Sequence, residues 1–373
     1  MVGFFYMVDN SNRVRGLPQM SLKDLFDKEK GVLHKAEKRI AQAELLRKGK
    51  GDRIAGDALD KVLVLLDNNF AVYDRLKGDF SRVYTHLGGL LEATGRDSSA
   101  VRAYDKALSL DEENFDALNA KGVFLLDHGA EDGAIEMFDR ALGLSPSHSI
   151  TRYNRVRTLK EMGNTEDAEK DLRDLVSDEP RNLEYLDALI DITGPDTELQ
   201  RKKAELHRDR SETDEAEEAL ALALDLSPED RDLWLLQADL ASDKADDRAQ
   251  VEALEGALSA GGAAPAPLLM RRLGRAQMRM EFYMQALNTF DTALDLDPEE
   301  PGLLLGRAQA LQGLERPDEA DRAYDIALEA LGEDAAKDVL VSAAMVKAEM
   351  GHHDHASELL ARATALEIGR AHV

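Results

Sequence analysis

Apolar and small residues recur along this chain with the spacing of buried helix faces. The segment GAIEMFDRALGLSP (residues 133–146) and the segment MQALNTFDTALDLDP (residues 284–298) carry alanine, an aromatic ring, alanine and proline at the same spacing. In the first segment, Ala134, Phe138 and Ala141 lie three or four residues apart, which puts them on one face of a helix. The two segments therefore predict the same amphipathic helix at two places in the chain.

The period of this pattern is 34 residues. Counted from Phe115, small residues stand at positions 8, 20 and 27, large apolar residues at positions 4, 11 and 24, and proline at position 32. The same register describes three abutting units over 81–182. It then resumes five times, at Thr197, Arg231, Pro267, Pro301 and Lys337. Small residues let two helices approach closely, large residues fill the remaining space, and proline ends the second helix. We therefore predict eight helix pairs over 81–366.

This pattern resembles the tetratricopeptide repeat family, in which each unit is a helix–turn–helix. The resemblance implies an all-α fold, a right-handed superhelix of antiparallel helix pairs in which each pair buries its apolar face against its neighbours. It also implies that the first helices of the pairs line a concave groove. Residues that contact a ligand are then expected at positions 2, 5, 6, 9, 12 and 13 of those helices.

Departures from the repeat frame predict the other segments. The stretch LEYLDALIDITGPD follows the third unit and predicts one extra helix that breaks at Gly194-Pro195. The last residues, EIGRAHV, fit no repeat position, so we expect the natural chain to continue past Leu366. The predicted order is a mis-called or disordered N-terminus at 1–19, N-terminal capping or degenerate-repeat helices at 20–80, three repeat units at 81–182, an inserted helix at 183–196, five further units at 197–366 and a non-native tail at 367–373.

Composition narrows the function classes. The chain has no cysteine, which excludes disulfides, thiolate metal sites and cysteine nucleophiles. Its net charge of −26 disfavours nucleic acid and anionic membranes as partners. There is no Walker loop, dinucleotide-binding turn or serine elbow, and no apolar run long enough to span a bilayer. We therefore expect a cytoplasmic protein that is not an enzyme, with no catalytic residues, no metal site, no cofactor, and no nucleic-acid or membrane partner.

The resemblance places the candidate partner-binding residues on the first helices. They are Asn119, Tyr153, Asn154, Arg157 and Lys160 in the second and third units, and Arg271, Arg272, Arg275 and Arg279 in the sixth. Guanidinium groups bind carboxylates bidentately, so this local positive charge favours an acidic segment as the partner. The alternative is that these arginines pair with neighbouring acidic residues and bind nothing. The family's clamp for chaperone tails is disfavoured, because Asn119 and Val123 stand where that clamp has Lys and Asn.

The predicted function is a protein-interaction scaffold or adaptor that binds a peptide or a partner protein in the groove, with an acidic segment as one candidate. The alternative is a regulatory or substrate-binding repeat arm of a larger enzyme whose catalytic domain lies beyond a truncated C-terminus. RNA binding by a related helical-repeat code is disfavoured by the acidic charge and by proline at position 32 of a strict 34-residue frame.

Overall fold

A computed structural model describes residues 22–69, 76–260, 266–332 and 335–370. Within those residues the chain forms nineteen α-helices and no β-strand, so the all-α prediction is confirmed. The chain divides into two compact units, Met1–Ile192 and Thr193–Val373, which we call unit 1 and unit 2. Within each unit the helices form antiparallel pairs that stack in series, which is the solenoid arrangement.

Unit 1 contains the shorter series of repeats and the long N-terminal helix. Its helices are α1 (Leu22–Lys50), α2 (Asp52–Asp67), α3 (Lys77–Glu92), α4 (Asp97–Leu110), α5 (Phe115–Asp127), α6 (Glu131–Leu144), α7 (Ser149–Glu161), α8 (Thr165–Asp178) and α9 (Leu183–Thr193). The last residue of α9 belongs to unit 2 by the division above. One core cluster joins α1 to α6, with Tyr84 and Tyr104 among its fully buried side chains.

Unit 2 contains five helix pairs. Its helices are α10 (Thr197–Asp209), α11 (Thr213–Leu226), α12 (Arg231–Asp243), α13 (Asp247–Ser259), α14 (Pro267–Arg279), α15 (Tyr283–Leu294), α16 (Pro301–Gly313), α17 (Pro317–Leu331), α18 (Lys337–Glu349) and α19 (His353–Arg370). Alanines and larger side chains, mainly leucine with rings such as those of Phe290 and Tyr324, form its cores in similar numbers.

The helix starts follow the 34-residue frame. The second helix of each repeat, from α4 to α19, begins at position 17 of that repeat. The first helix of each repeat, from α5 onward, begins at position 1. Polar linker residues set the starts of most first helices, because their side chains accept hydrogen bonds from backbone N–H groups of the first turn. Asn114, Asp230 and Glu300 cap α5, α12 and α16 in this way.

Close helix approach depends on a small residue facing a large one. A Cβ atom added to Gly122 would lie 2.6 Å from the ring of Phe138, and one added to Gly274 would lie 2.6 Å from the ring of Phe290. Only glycine leaves room for the ring at that separation. The fifth repeat reverses the arrangement, because the indole of Trp234 on the first helix packs against Gly256 on the second.

Some predicted segments lie wholly or partly outside the described residues. α3 begins at Lys77, and residues 70–75, which precede it, lie outside them. The N-terminus at 1–19 and the last residues, 371–373, also lie outside them. A single helix, α9, occupies the segment between the third and fourth repeats, and its Tyr185, Leu186 and Leu189 are buried. The assignment of segments to domains stays a prediction.

Candidate partner-binding faces

The first helices of consecutive repeats lie side by side. In unit 1, α3 contacts α5 and α5 contacts α7, and in unit 2, α10 contacts α12 and α14 contacts α16. We call the residues at positions 2, 5, 6, 9, 12 and 13 of these helices the first-helix face of each unit. The nine candidate residues divide between the two units: five lie on α5 and α7 of unit 1, and four lie on α14 of unit 2.

Asn119 holds two repeats together. Its side-chain oxygen accepts a hydrogen bond from the hydroxyl of Thr151 at 2.8 Å, which joins α5 to the buried start of α7. His148 accepts a hydrogen bond from the backbone N–H of Thr151 and caps the same helix. Asn119 still has its two amide N–H donors and one further acceptor site to contribute to the face.

Tyr153 presents an aromatic surface beside α9. Its ring centroid lies 5.0 Å from that of Tyr185, a tilted contact between the third repeat and the helix that follows it. Burial, followed by the charge and hydrogen bond of Glu184, raises the pKa of Tyr153 to about 12. The phenol therefore stays protonated and keeps its O–H donor at physiological pH.

Asn154 is mostly buried, and its side-chain amide reaches the surface of α7 without a partner in the described part of the chain. The residue is 9% exposed, and its backbone carbonyl accepts a hydrogen bond from Thr158. The side chain makes no hydrogen bond to any residue within the described ranges. The amide of Asn154 is therefore available to form hydrogen bonds with a ligand on this face.

Arg157 and Lys160 lie further along α7, and both approach a carboxylate. The guanidinium of Arg157 lies 3.9 Å from Asp127 and is half exposed, so it is held weakly. Lys160 donates to Asp191 on α9 at 2.6 Å, and this hydrogen bond lowers the pKa of that carboxyl. Arg157 is therefore the more available cation of the two.

The four arginines of α14 differ in their partners. Arg271 pairs with Glu300 at 2.5 Å, Arg279 pairs with Asp247 at 2.5 Å, and Arg272 pairs with Asp239. Arg275 is exposed and forms no hydrogen bond or ion pair with the described part of the chain. The alternative considered from the sequence, pairing with acidic neighbours, therefore describes three of the four arginines.

Two residues at or beside these faces were not among the candidates predicted from the sequence. Tyr185 packs on Tyr153 but belongs to α9, outside the repeat frame. Asp239 on α12 pairs with both Arg208 on α10 and Arg272 on α14 and so joins three first helices. Opposite charges about one repeat apart in the sequence are the signal that could have revealed Asp239.

No helix among the described residues is both long enough and apolar enough to cross a bilayer.

Comparison with protein families matches both units to repeats of one kind. A model described as tetratricopeptide repeat matches residues 87–149 and 271–336, and a second model with the same description matches residues 125–192. Tetratricopeptide repeat protein 14 of Mus musculus is 39% identical over 69 residues, which is 18% of this chain and 9% of that protein. Protein O-mannosyl-transferase TMTC3 of Homo sapiens is 30% identical over 139 residues, which is 35% of this chain and 15% of that protein. The matches thus span only a small part of these curated relatives.

Solved structures give matches of low superposition score. MamA RS-1, as the ArsTM double mutant, has a TM-score of 0.43 and 16% identity, over 47% of this chain and 96% of that one. The C-terminal part of a repeat-containing protein from Cytophaga hutchinsonii has a TM-score of 0.41 and 18% identity, over 64% of this chain and 93% of that one. On its 34-residue frame, its stacked helix pairs and the two family models, this chain belongs to the tetratricopeptide repeat family.

Proposed function

We propose that this chain is a non-catalytic scaffold whose first-helix faces bind an extended segment of a partner protein. The observation that carries the proposal is Asn154, a mostly buried side chain whose amide reaches the surface and forms no hydrogen bond within the described residues. Each hydrogen bond that such an amide forms with a ligand contributes about 0.5–1.5 kcal/mol. The backbone of a bound peptide offers both a donor and an acceptor, and so satisfies this amide.

The surroundings of Asn154 support a peptide rather than a small metabolite. Arg157 lies one helical turn away and is held only weakly by Asp127, so it is available to an acidic side chain or a carboxylate. Tyr153, adjacent in sequence, adds an aromatic surface. Amide, cation and ring follow one another along α7, which suits a ligand with a repeating backbone and varied side chains.

The test starts from peptides selected by display of a random library on the full chain. Asn154→Ala should weaken binding of the selected peptides about tenfold, because it removes the group that pairs with their backbone. Fluorescence anisotropy with synthetic peptides measures the affinity. Asn288→Ala, on the exposed face of α15, is the matched control and should leave the affinity unchanged.

Two results would contradict the proposal. One is a library that yields no enriched peptide on the folded chain, with folding checked by circular dichroism. The other is a set of enriched peptides whose affinity is unchanged in Asn154→Ala and in every other variant on the first-helix faces.

A second candidate function is that of a regulatory or substrate-binding arm of a larger enzyme. The observation in its favour is that two of the matched relatives, TMTC3 and TMTC1, are named O-mannosyl-transferases and match this chain over only 15% and 20% of their length. Immunoblotting of the source cells with an antibody against this chain tests it. A band at the size of this chain alone would exclude the larger enzyme.

A further inference from the structure

The first helices α14 and α16 carry basic residues and no acidic ones, within an acidic protein. α14 carries four arginines and α16 carries one, and neither helix has an acidic residue. The two helices are in contact, so their side chains share one part of the first-helix face of unit 2. The chain as a whole has a net charge of −26, which makes this surface a local exception.

Charge pairing leaves one free guanidinium on this surface. Arg272, Arg275 and Arg279 lie three or four residues apart and share one side of α14. Carboxylates on the α12–α13 pair, Asp239 and Asp247, hold the two outer arginines. Arg275, between them, is exposed and has no partner in the described part of the chain. Its guanidinium can therefore accept a carboxylate without first breaking an ion pair.

The residue at position 9 of the repeat differs in polarity from one first helix to the next. It is occupied by Arg275 on α14, by the amide of Gln309 on α16 and by Met345 on α18. Met345 is 62% exposed, which is unusual for a methionine on a helix whose other apolar residues are mostly buried. Leu305 on α16 is half-buried beside this row. The row thus runs from a cation through an amide to an apolar side chain.

The spacing of the helices sets the spacing of the ligand. α14 and α16 are in contact, and α18 is the first helix of the next repeat. Packed helices lie about 10 Å apart, so two repeat steps from α14 to α18 correspond to about 20 Å. An extended chain advances about 3.3 Å per residue, so this distance corresponds to about six residues. A segment that lies across the helices can therefore reach Arg275 and Met345 together.

We propose that unit 2 binds an extended segment with an aspartate or glutamate at Arg275 and a large apolar residue about six positions away at Met345. The proposal rests on the proposed function and names the partner chemistry for one of its faces. Nucleic acid suits this row less well, because the other arginines on α14 are already neutralised and the row ends on an apolar residue.

Defined peptides test the proposal on the full chain. The first fluorescein-labelled probe has a glutamate and a leucine about six residues apart in a Gly/Ser background. A second probe places the two residues next to each other, and a third replaces the glutamate with lysine. Anisotropy should show that the first probe binds at least about tenfold more tightly than the third, because only a carboxylate pairs with Arg275.

Variants locate the binding. Arg275→Glu should weaken the first probe at least about tenfold, and Met345→Ser about threefold. Arg248→Glu makes the same charge change on α13, where the side chain is 80% exposed and pairs with Glu252, and it should have no effect. Unchanged binding in Arg275→Glu, equal binding of the glutamate and lysine probes, or no binding at about 1 mM chain would overturn the proposal.

The same measurements separate this inference from the proposed function. Display-selected peptides that lose affinity in Asn154→Ala but not in Arg275→Glu would overturn the inference and leave the scaffold function standing. Peptides that respond to neither variant, nor to any other on the first-helix faces, would overturn both.

Discussion

Unit 1 and unit 2 build the same turn from different residues. Position 15 of each repeat, between the two helices, has a positive φ angle in both units. Unit 1 uses glycine at Gly95, Gly129 and Gly163, whereas unit 2 uses Ser211, Ala245, Glu281 and Glu315 before returning to Gly351. The hydrogen bonds are the same: Ala130 N–H donates to the Leu125 carbonyl, as Phe282 N–H donates to that of Gln277, both at 2.9 Å.

This comparison shows which part of the repeat is imposed by packing. The left-handed residue closes the first helix in a Schellman motif and turns the chain into the second helix. A residue with a side chain pays about 1 kcal/mol for that conformation, whereas glycine does not. Unit 2 therefore maintains the geometry against local preference, because antiparallel packing of its helices requires it.

The largest expected effect concerns the close contacts between glycines and aromatic rings within each unit. Gly274→Val should destabilise unit 2 by about 3 kcal/mol, because the ring of Phe290 packs against both Gly274 and Gly306 and cannot move aside. Gly122→Val should cost less, about 2 kcal/mol, since Phe138 faces glycine on one side only. Hydrogen exchange of α14 and α5 measures each loss locally. Gly143→Val, at an open position on α6, is the control, and equal losses at Gly274 and Gly122 would contradict the comparison.

Removal of a buried charge should change the stability of the two units in opposite directions. Burial alone would lower the pKa of Lys347 in unit 2, but the hydrogen bonds that it donates to Asp325 and Asp321 raise that pKa overall. Its stabilising contribution is therefore complete at pH 7 and is lost only as pH rises through the raised pKa. Lys347→Met should cost about 3 kcal/mol at pH 7, because Asp321 stays buried without its cation.

The counterpart in unit 1 is Asp171. Burial raises the pKa of its carboxyl, and Arg155 at 3.5 Å offsets this only in part. A raised acid pKa means that the ionised form opposes folding, so Asp171→Asn should stabilise unit 1 slightly at pH 7. The gain should fade as pH falls through the raised pKa toward the ordinary value of 3.8. Thermal unfolding at pH 7 and at a pH near 3.8 measures this gain. If Lys347→Met and Asp171→Asn both destabilise the protein at pH 7, the contrast is contradicted.

The smallest expected effects come from exchanging the turn residues. Gly129→Ala should cost about 1 kcal/mol, because alanine is strained at a φ of 67°. Ala245→Gly should gain about 0.5 kcal/mol, less than the full relief of strain, since glycine also gives the unfolded chain more freedom. Hydrogen exchange at the turn and the following helix reports both changes. A loss of stability in both variants would show that the turn of unit 2 is held by side-chain contacts instead.

Much of the fold was predictable because its determinants are local. Alanine, glycine and aromatic residues at set positions of the frame identified the helix pairs, and polar caps fixed the starts of most first helices at position 1. The turn at position 15 was less evident in unit 2, since Glu281 and Glu315 are not residues that favour a positive φ.

By itself, the sequence determined that this chain is a series of tetratricopeptide helix pairs, because the 34-residue period repeats the same local packing rule. It also predicted that α7 and α14 have polar faces. The tertiary structure decided which of those polar groups are available. Asp239 lies 33 residues before Arg272 and neutralises it only because α12 and α14 belong to neighbouring repeats, and Arg275 is left free on the same helix. Ion pairing depends on distances across repeats, and a sequence pattern within one repeat does not contain those distances.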